Sequence, residues 1–192
     1  MLKADLTRSL GEAFAISPDY ERMYAIKIRA SSEAIMEDLE NFGRPNASFV
    51  NLRFLKVRQI AGKPNQIGSV IRYRVPILRL GAEMRLTKKV DCETLFYEVD
   101  KRLVEHGRLV FNVAPTRDGN RRLAIYTSFD YKRGKGLASK ALWRIARWLF
   151  PEFVHDIVWN HALCSIKEEV ERNPGPRMPA GRPRELRYQP YH

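Results

Sequence analysis

The sequence predicts an α+β fold in which a seven-stranded antiparallel sheet packs around one long C-terminal helix. Between residues 23 and 131, successive segments show the two-residue alternation of apolar and polar side chains that is typical of strands with one buried face. In residues 138–172, apolar side chains instead recur every three or four residues, as on one face of a helix. A helix of that length needs a large apolar partner, and the sheet is the partner that the chain offers.

The first strand leads directly into a short helix. Alternation over residues 23–30 predicts strand one. Ser31 and Ser32 come next, and a serine hydroxyl can cap the helix that follows by accepting a bond from a backbone N–H of the first turn. Gly43 and Pro45 end this helix, because glycine and proline both interrupt helical periodicity.

Strand signals alone fill the next part of the chain. Glycine occurs with proline, aspartate or asparagine in two of the connections, residues 61–65 and 116–120, and these residue types favour tight turns. Sequential strands without a helix between them predict an antiparallel meander. The predicted strands cover residues 50–60, 69–75, 82–90, 94–101, 104–114 and 121–131.

The C-terminal helix is predicted to have two parts. Pro151 lacks a backbone N–H and clashes with the preceding turn, so we expect a kink or a short break there. Beyond the kink an apolar stripe continues until residues 173–175 stop the pattern. The stripe consists of Trp159, Leu163, Ile166 and Val170, flanked by Phe153, Ile157 and Cys164.

The alternation divides the strand residues between an inner, apolar face and an outer, polar face. Such a division is expected of an antiparallel sheet with one buried side. The inner face collects Ile26, Ile28, Ile71, Tyr73, Val75, Met84, Leu86, Leu95, Tyr97, Val99, Leu109, Phe111, Val113, Leu123, Ile125, Thr127 and Phe129. The outer face collects Lys27, Arg72, Arg85, Lys89, Glu98, Arg108 and Asp130.

Length and composition are those of one domain with an ordinary core. The chain has 192 residues, of which 44% are hydrophobic, which is enough to bury a core without disulfides or metals. We expect an N-terminal extension at residues 1–21, the domain at residues 22–172, and a basic, flexible tail rich in proline and arginine at residues 173–192.

The cysteines and the hydropathy predict a cytoplasmic protein with an optional peripheral contact to membranes. Cys92 and Cys164 are far apart in sequence, so we interpret them as reduced, buried thiols rather than as a disulfide framework. No apolar run approaches the ~18 residues that a membrane-spanning helix needs. We also expect no secretory signal, because the N-terminus lacks a cationic start followed by an apolar segment.

The order strand, short helix, six strands and long helix resembles the helix-grip fold of the START-like, or SRPBCC, superfamily. The residues that carry the resemblance are 24–36, running from strand into helix, 67–73, 111–115 before Gly119, and 166–171. They are pattern matches over residues 22–172 rather than a catalytic signature. The superfamily includes plant pollen-allergen proteins and bacterial polyketide cyclase/dehydrase-like domains. The resemblance implies a curved sheet, an apolar cavity beside the last helix, and a ligand such as a lipid, an isoprenoid, a quinone or a polyketide.

With the cavity implied by this resemblance, the inner face yields a set of candidate ligand-binding residues. The same side chains would serve equally as an ordinary packed core, and that alternative stays open. Asp156 and Asn160, four residues apart on the helix, are candidates to meet the polar end of a ligand. The predicted ligand-binding residues are Tyr73, Met84, Tyr97, Phe111, Ile125, Thr127, Phe129, Phe153, Ile157 and Asn160.

No catalytic residue, metal site or cofactor is predicted. His155 and His161 are six residues apart, which does not place two metal ligands on one helical face, and His106 falls on the polar side of its strand. Cys164 near His161 lacks an electropositive pocket or a third, orienting group. An enzyme of the polyketide cyclase or aromatase type stays an alternative, because such enzymes mainly fold a reactive chain inside a cavity.

The formal net charge of +12 favours anionic partners. One predicted contact surface for an anionic membrane combines bases with tryptophans at the headgroup level, although the same tryptophans could pack on the sheet instead. Binding to the ribosome or RNA is the alternative partner class, without a recognised motif. The oligomeric state stays open. The predicted membrane-contact residues are Lys140, Trp143, Arg144, Arg147 and Trp148.

Overall fold

In the computed structural model of the chain, the residues described are 7, 17–44, 55–64, 66–75, 80–99, 104–131 and 152–172. A strand and a short helix come first, six further strands follow, and a helix ends the described chain. In order, the elements are β1 (Tyr20–Ile28), α1 (Ser32–Leu39), β2 (Lys56–Ala61), β3 (Val70–Val75), β4 (Leu80–Val90), β5 (Thr94–Val99), β6 (Val104–Pro115), β7 (Arg121–Tyr131) and α2 (Glu152–Arg172).

The strands form one seven-stranded sheet in the order β1-β7-β6-β5-β4-β3-β2, and every neighbouring pair is antiparallel. The predicted α+β class and meander are therefore confirmed. Strand β7 has the predicted bounds, whereas β1 begins at Tyr20 rather than at residue 23. The longer β1 is held because Tyr20 pairs with Phe129 across the sheet, and the two rings stack with centroids 4.6 Å apart.

Helix α1 begins as the sequence predicts. The Ser31 hydroxyl accepts a hydrogen bond from the backbone N–H of Ala34 at 3.2 Å, which satisfies one free donor of the first turn. The helix buries Ile35, Met36 and Leu39 against the inner face of the sheet, so it closes one end of the core.

Helix α2 lies against the same inner face. Its predicted apolar stripe is confirmed, since Trp159, Leu163, Ile166 and Val170 all pack into the core. Near its end, Glu171 accepts a 2.8 Å hydrogen bond from the backbone N–H of Arg29, which ties the helix to the end of β1. Residues 138–150 and the predicted kink at Pro151 lie outside the described residues.

The main core lies between the inner face of the sheet and the two helices, as predicted. The sheet also carries a second apolar cluster on its outer face, which the alternation did not reveal because we expected that face to be polar. The outer cluster consists of Phe96, Val110, Ala124 and Tyr126, with Val90 packed against it.

The thiols require a correction. Cys164 is exposed and Cys92 is partly exposed, and both are free. Cys164 faces outward because it lies about 140° around the helix axis from Trp159, beyond the edge of the apolar stripe. No helix within the described ranges is long and apolar enough to cross a membrane.

Candidate functional site

An aromatic cluster joins the sheet to both helical regions of the fold. The Phe111 ring, on β6, is its centre and makes edge-to-face contacts with Phe42, Tyr97 and Trp159 at centroid distances of 5.6, 6.1 and 6.2 Å. Phe42 and Tyr97 also meet edge to face at 5.9 Å. Sequence reasoning placed Tyr97 and Phe111 on one face, but the contact with Phe42, which follows α1, depends on how the chain folds back.

The predicted sheet residues gather around this cluster. Ile125, on β7, lies directly opposite Phe111. Leu86, on β4, lies directly opposite Tyr97, and β4 also carries Met84. Met84, Tyr97, Phe111 and Ile125 are almost fully buried, as is Thr127, whereas Tyr73 is half-buried at the rim of the core. The structure therefore brings these predicted residues together on one surface.

Burial keeps the inner tyrosines neutral. It raises the pKa of Tyr73 above the ordinary value, and it also raises the pKa of Tyr97, with the charge of Glu40 adding a smaller effect in the same direction. Both phenols are therefore protonated at physiological pH. Each can donate a hydrogen bond to a bound molecule, but neither can act as a base there.

Trp159 supplies an unusual donor at the edge of the cluster. Its indole Nε1 is buried and has no hydrogen-bond partner in the part of the chain that the structure describes. The ring itself packs against the core and keeps only part of its surface in solvent. An unsatisfied buried donor costs about 1–3 kcal/mol, so native proteins usually provide it with a partner.

A second polar group lies at the junction between β1 and α2. The Tyr24 hydroxyl donates to Asp156 Oδ1 at 2.6 Å and lies 3.3 Å from the Tyr20 hydroxyl. Burial, followed by the hydrogen bond to Asp156, raises the pKa of Tyr24 well above its ordinary value. Asp156, a candidate for the polar end of a ligand, is thus already engaged by a phenol of the protein.

Phe129 lies beside this junction rather than in the aromatic cluster. Its ring stacks on Tyr20 at 4.6 Å, and the His155 ring lies 6.0 Å from it and 5.0 Å from Tyr20. The predicted inner-face residues therefore divide into two groups, one around Phe111 and one at the start of α2.

Two predicted helix residues do not face the sheet. Ile157 is 52% exposed, and Asn160 is exposed as well. The reason is helical geometry, since they lie about 200° and 100° around the axis from Trp159, which points inward. The Phe153 side chain and all five predicted membrane-contact residues, Lys140, Trp143, Arg144, Arg147 and Trp148, lie outside what the structure describes.

The remaining polar residues form local surface contacts. His106 Nδ1 lies 3.0 Å from Asp130 Oδ2 on the exposed side of β6, and His161 Nε2 lies 3.4 Å from the Ser165 hydroxyl. Among the described residues no group of three or more histidine, cysteine, aspartate or glutamate side chains is arranged to hold a metal ion.

Sequence reasoning does not find several residues of the site. Periodicity places Tyr20 in an N-terminal extension, shows Tyr24 only as a strand residue, and gives no role to Phe42 in the turn after α1. It places Trp159 in the apolar stripe, where the polarity of its indole N–H is a usable signal, because a tryptophan in an apolar stripe still needs an acceptor.

Neither the family models nor the curated proteins contain a match to this chain. Solved structures do match. A Chromobacterium violaceum protein is 13% identical with a TM-score of 0.55, over 79% of this chain and 96% of that one. A Nitrosospira multiformis protein is 11% identical with a TM-score of 0.53, over 78% of this chain and 95% of that one. The Aha1 dimer from Colwellia psychrerythraea is 16% identical with a TM-score of 0.52, over 81% of this chain and 99% of that one. At these identities the similarity shows the fold alone, which is the predicted helix-grip arrangement of a seven-stranded antiparallel sheet and a C-terminal helix.

Proposed function

We propose that this protein binds a hydrophobic small molecule that carries an oxygen acceptor, held between the inner face of the sheet and helix α2. The observation that carries the proposal is the buried Nε1 of Trp159, which lacks a hydrogen-bond partner among the described residues. A carbonyl or hydroxyl oxygen of a ligand would accept from this N–H and remove the cost of leaving it unpaired.

The surroundings of Trp159 indicate the rest of the ligand. Phe111 meets its ring edge to face, and the neighbouring core side chains on the sheet are apolar or hold neutral phenols. A charged ligand would lose its hydration in such a place without gaining a partner. We therefore expect a mostly apolar skeleton with a neutral oxygen, as in a lipid, an isoprenoid quinone or a polyketide.

The fold supports the same class of ligand. The chain shares the helix-grip fold, which commonly holds hydrophobic molecules between the sheet and the last helix. This support is general, since the fold alone does not select one compound. We also propose a cytoplasmic location, in keeping with the two free thiols.

The direct experiment is to purify the protein, extract it with organic solvent and analyse the extract by mass spectrometry. We expect a stoichiometric apolar compound that contains a carbonyl or hydroxyl oxygen. A folded protein whose extract is empty, and which takes up none of a panel of quinones, isoprenoids and fatty acids, would contradict the proposal.

Trp159→Phe tests the role of the indole N–H. Losing one neutral hydrogen bond of about 0.5–1.5 kcal/mol should weaken binding of the extracted compound by about two- to thirteenfold. The free energy of unfolding of the ligand-free variant should fall by less than the binding free energy does, because the variant no longer buries an unsatisfied donor. Asn160→Ala is the matched control on the adjacent, outward position and should bind like the wild type. Equal affinities for the wild type and Trp159→Phe would argue against this role.

An enzyme of the polyketide cyclase or aromatase type is the second candidate, and the Tyr24–Asp156 pair favours it. The pair places a phenol donor and a carboxyl group 2.6 Å apart beside the inner face, where acid–base chemistry needs titratable groups. Extracts of wild type and Asp156→Asn can be compared by mass. Accumulation of a different, precursor compound on the variant would favour catalysis, while the same compound on both would favour binding alone.

A further inference from the structure

The outer surface of β2, β3 and β4 carries a block of basic side chains. Lys56 lies directly opposite Arg74, and Arg58 lies directly opposite Arg72. Arg85 follows on β4, one strand further into the sheet. All five are exposed, and we call them the basic face.

The charges of the basic face are poorly compensated. Arg72 pairs with Glu83, its cross-strand neighbour on β4, with Nε and Oε1 2.9 Å apart. Lys56, Arg58 and Arg74 have no ionic partner in the described ranges. The sheet therefore keeps more positive than negative charge on this surface.

The register makes this arrangement costly for the isolated protein. Side chains directly opposite each other on antiparallel strands are only about 5 Å apart at their Cβ atoms, and like charges in such pairs destabilise the sheet. Two such pairs lie side by side, about 7 Å apart along the strands. A compact block of like charge concentrates positive potential and attracts an extended anionic surface.

Apolar side chains lie next to the basic face. Ile60, near the end of β2, is 39% exposed, and Ile67, in the connection to β3, is 67% exposed. Within the described residues, the outward positions of β2 and β3 hold no aromatic ring that could stack on a nucleic-acid base. Basic side chains beside exposed aliphatic side chains instead match a bilayer, whose headgroups are anionic and whose interior is apolar.

The geometry points to docking of the basic face on an anionic lipid bilayer, with Ile67 entering the headgroup region. The residues of this surface are not those of the sequence-predicted membrane contact, which lie outside the described ranges. The surface is also separate from the inner face, so docking does not depend on whether the protein holds a ligand.

Binding to phosphatidylcholine vesicles with and without phosphatidylserine tests the charges. Replacing Arg58 and Arg74 together by glutamine should weaken binding to the phosphatidylserine vesicles by about 25-fold, since each base near the surface contributes about fivefold. The matched control replaces Arg29 and Arg117 by glutamine in the same way. Both are exposed near the opposite edge of the sheet, and this variant should bind like the wild type. Equal losses in both double variants would overturn the inference, because net charge alone would then explain binding.

Ile67→Ser tests the apolar contact and separates a bilayer from nucleic acid. We expect a several-fold loss of vesicle binding that persists at high salt, whereas Ile157→Ser, on an isoleucine of α2 that is 52% exposed, should change nothing. Single-stranded RNA is the competitor. If RNA displaces the wild type from vesicles and Ile67→Ser binds vesicles normally, the basic face is a nucleic-acid surface and the inference is wrong. Circular dichroism confirms that each variant is folded.

Discussion

Replacing Phe111 by leucine tests whether the aromatic cluster stabilises the junction between sheet and helices. Phe111 is fully buried, and its ring meets Phe42, Tyr97 and Trp159 edge to face. Each such contact contributes about 0.5–1.5 kcal/mol beyond burial, so three contribute about 1.5–4.5 kcal/mol. Leucine keeps much of the apolar volume, and we expect the free energy of unfolding to fall by about 3 kcal/mol.

Urea denaturation followed by circular dichroism measures this loss. Phe96→Leu is the control, because Phe96 is equally buried in the outer cluster but makes no ring contact in the described part of the chain. The control should lose less than about 1.5 kcal/mol, the usual cost of exchanging large apolar residues. If both variants lose the same free energy, the edge-to-face contacts contribute nothing, and the reasoning is refuted.

Two further predictions concern Tyr97 and Gly107. Burial holds the pKa of Tyr97 above that of an unfolded tyrosine, so its stabilising effect is full below pH 10 and is lost as the pH rises further. Above pH 10 the free energy of unfolding of the wild type should fall with pH, and Tyr97→Phe should make that fall less steep by about 1.4 kcal/mol per pH unit. The same steepness in both proteins would contradict this. Gly107→Ala should cost about 1–3 kcal/mol in urea denaturation, because the new Cβ would lie 2.7 Å from Val99 Cβ and 2.8 Å from Val104 Cγ2. Wild-type stability would contradict this.

Local features of the fold could be predicted from the sequence. Alternation gave β7 its bounds, and Ser31 marked the start of α1, because strand pleating and helix capping depend on neighbouring residues. The hairpin at Gly119 was also predicted. Gly119 has a φ of 82°, and the Thr116 N–H donates to the Asn120 carbonyl at 2.9 Å, as a tight turn requires.

The sheet side of the candidate site could also be predicted from the sequence. The inner-face positions on β4 to β7, including Met84, Tyr97 and Phe111, followed from the two-residue period, and the structure brings them together. The helix contribution was only partly correct. The apolar stripe through Trp159 faces the core, but Ile157 and Asn160 fall outside it, because the edge of a buried helical face is set by how deeply the helix docks.

The sequence by itself determined the order of the elements, the inner face of the sheet and the apolar stripe of α2. Only the tertiary structure decided which distant side chains meet. Tyr24 reaches Asp156 across 132 positions of the chain, and Arg58 lies opposite Arg72 because of the register between β2 and β3. The physical reason is that periodicity is a local property. Register and helix docking instead follow from the summed free energy of contacts between remote segments, and a one-residue slip would turn every side chain of a strand to the other face.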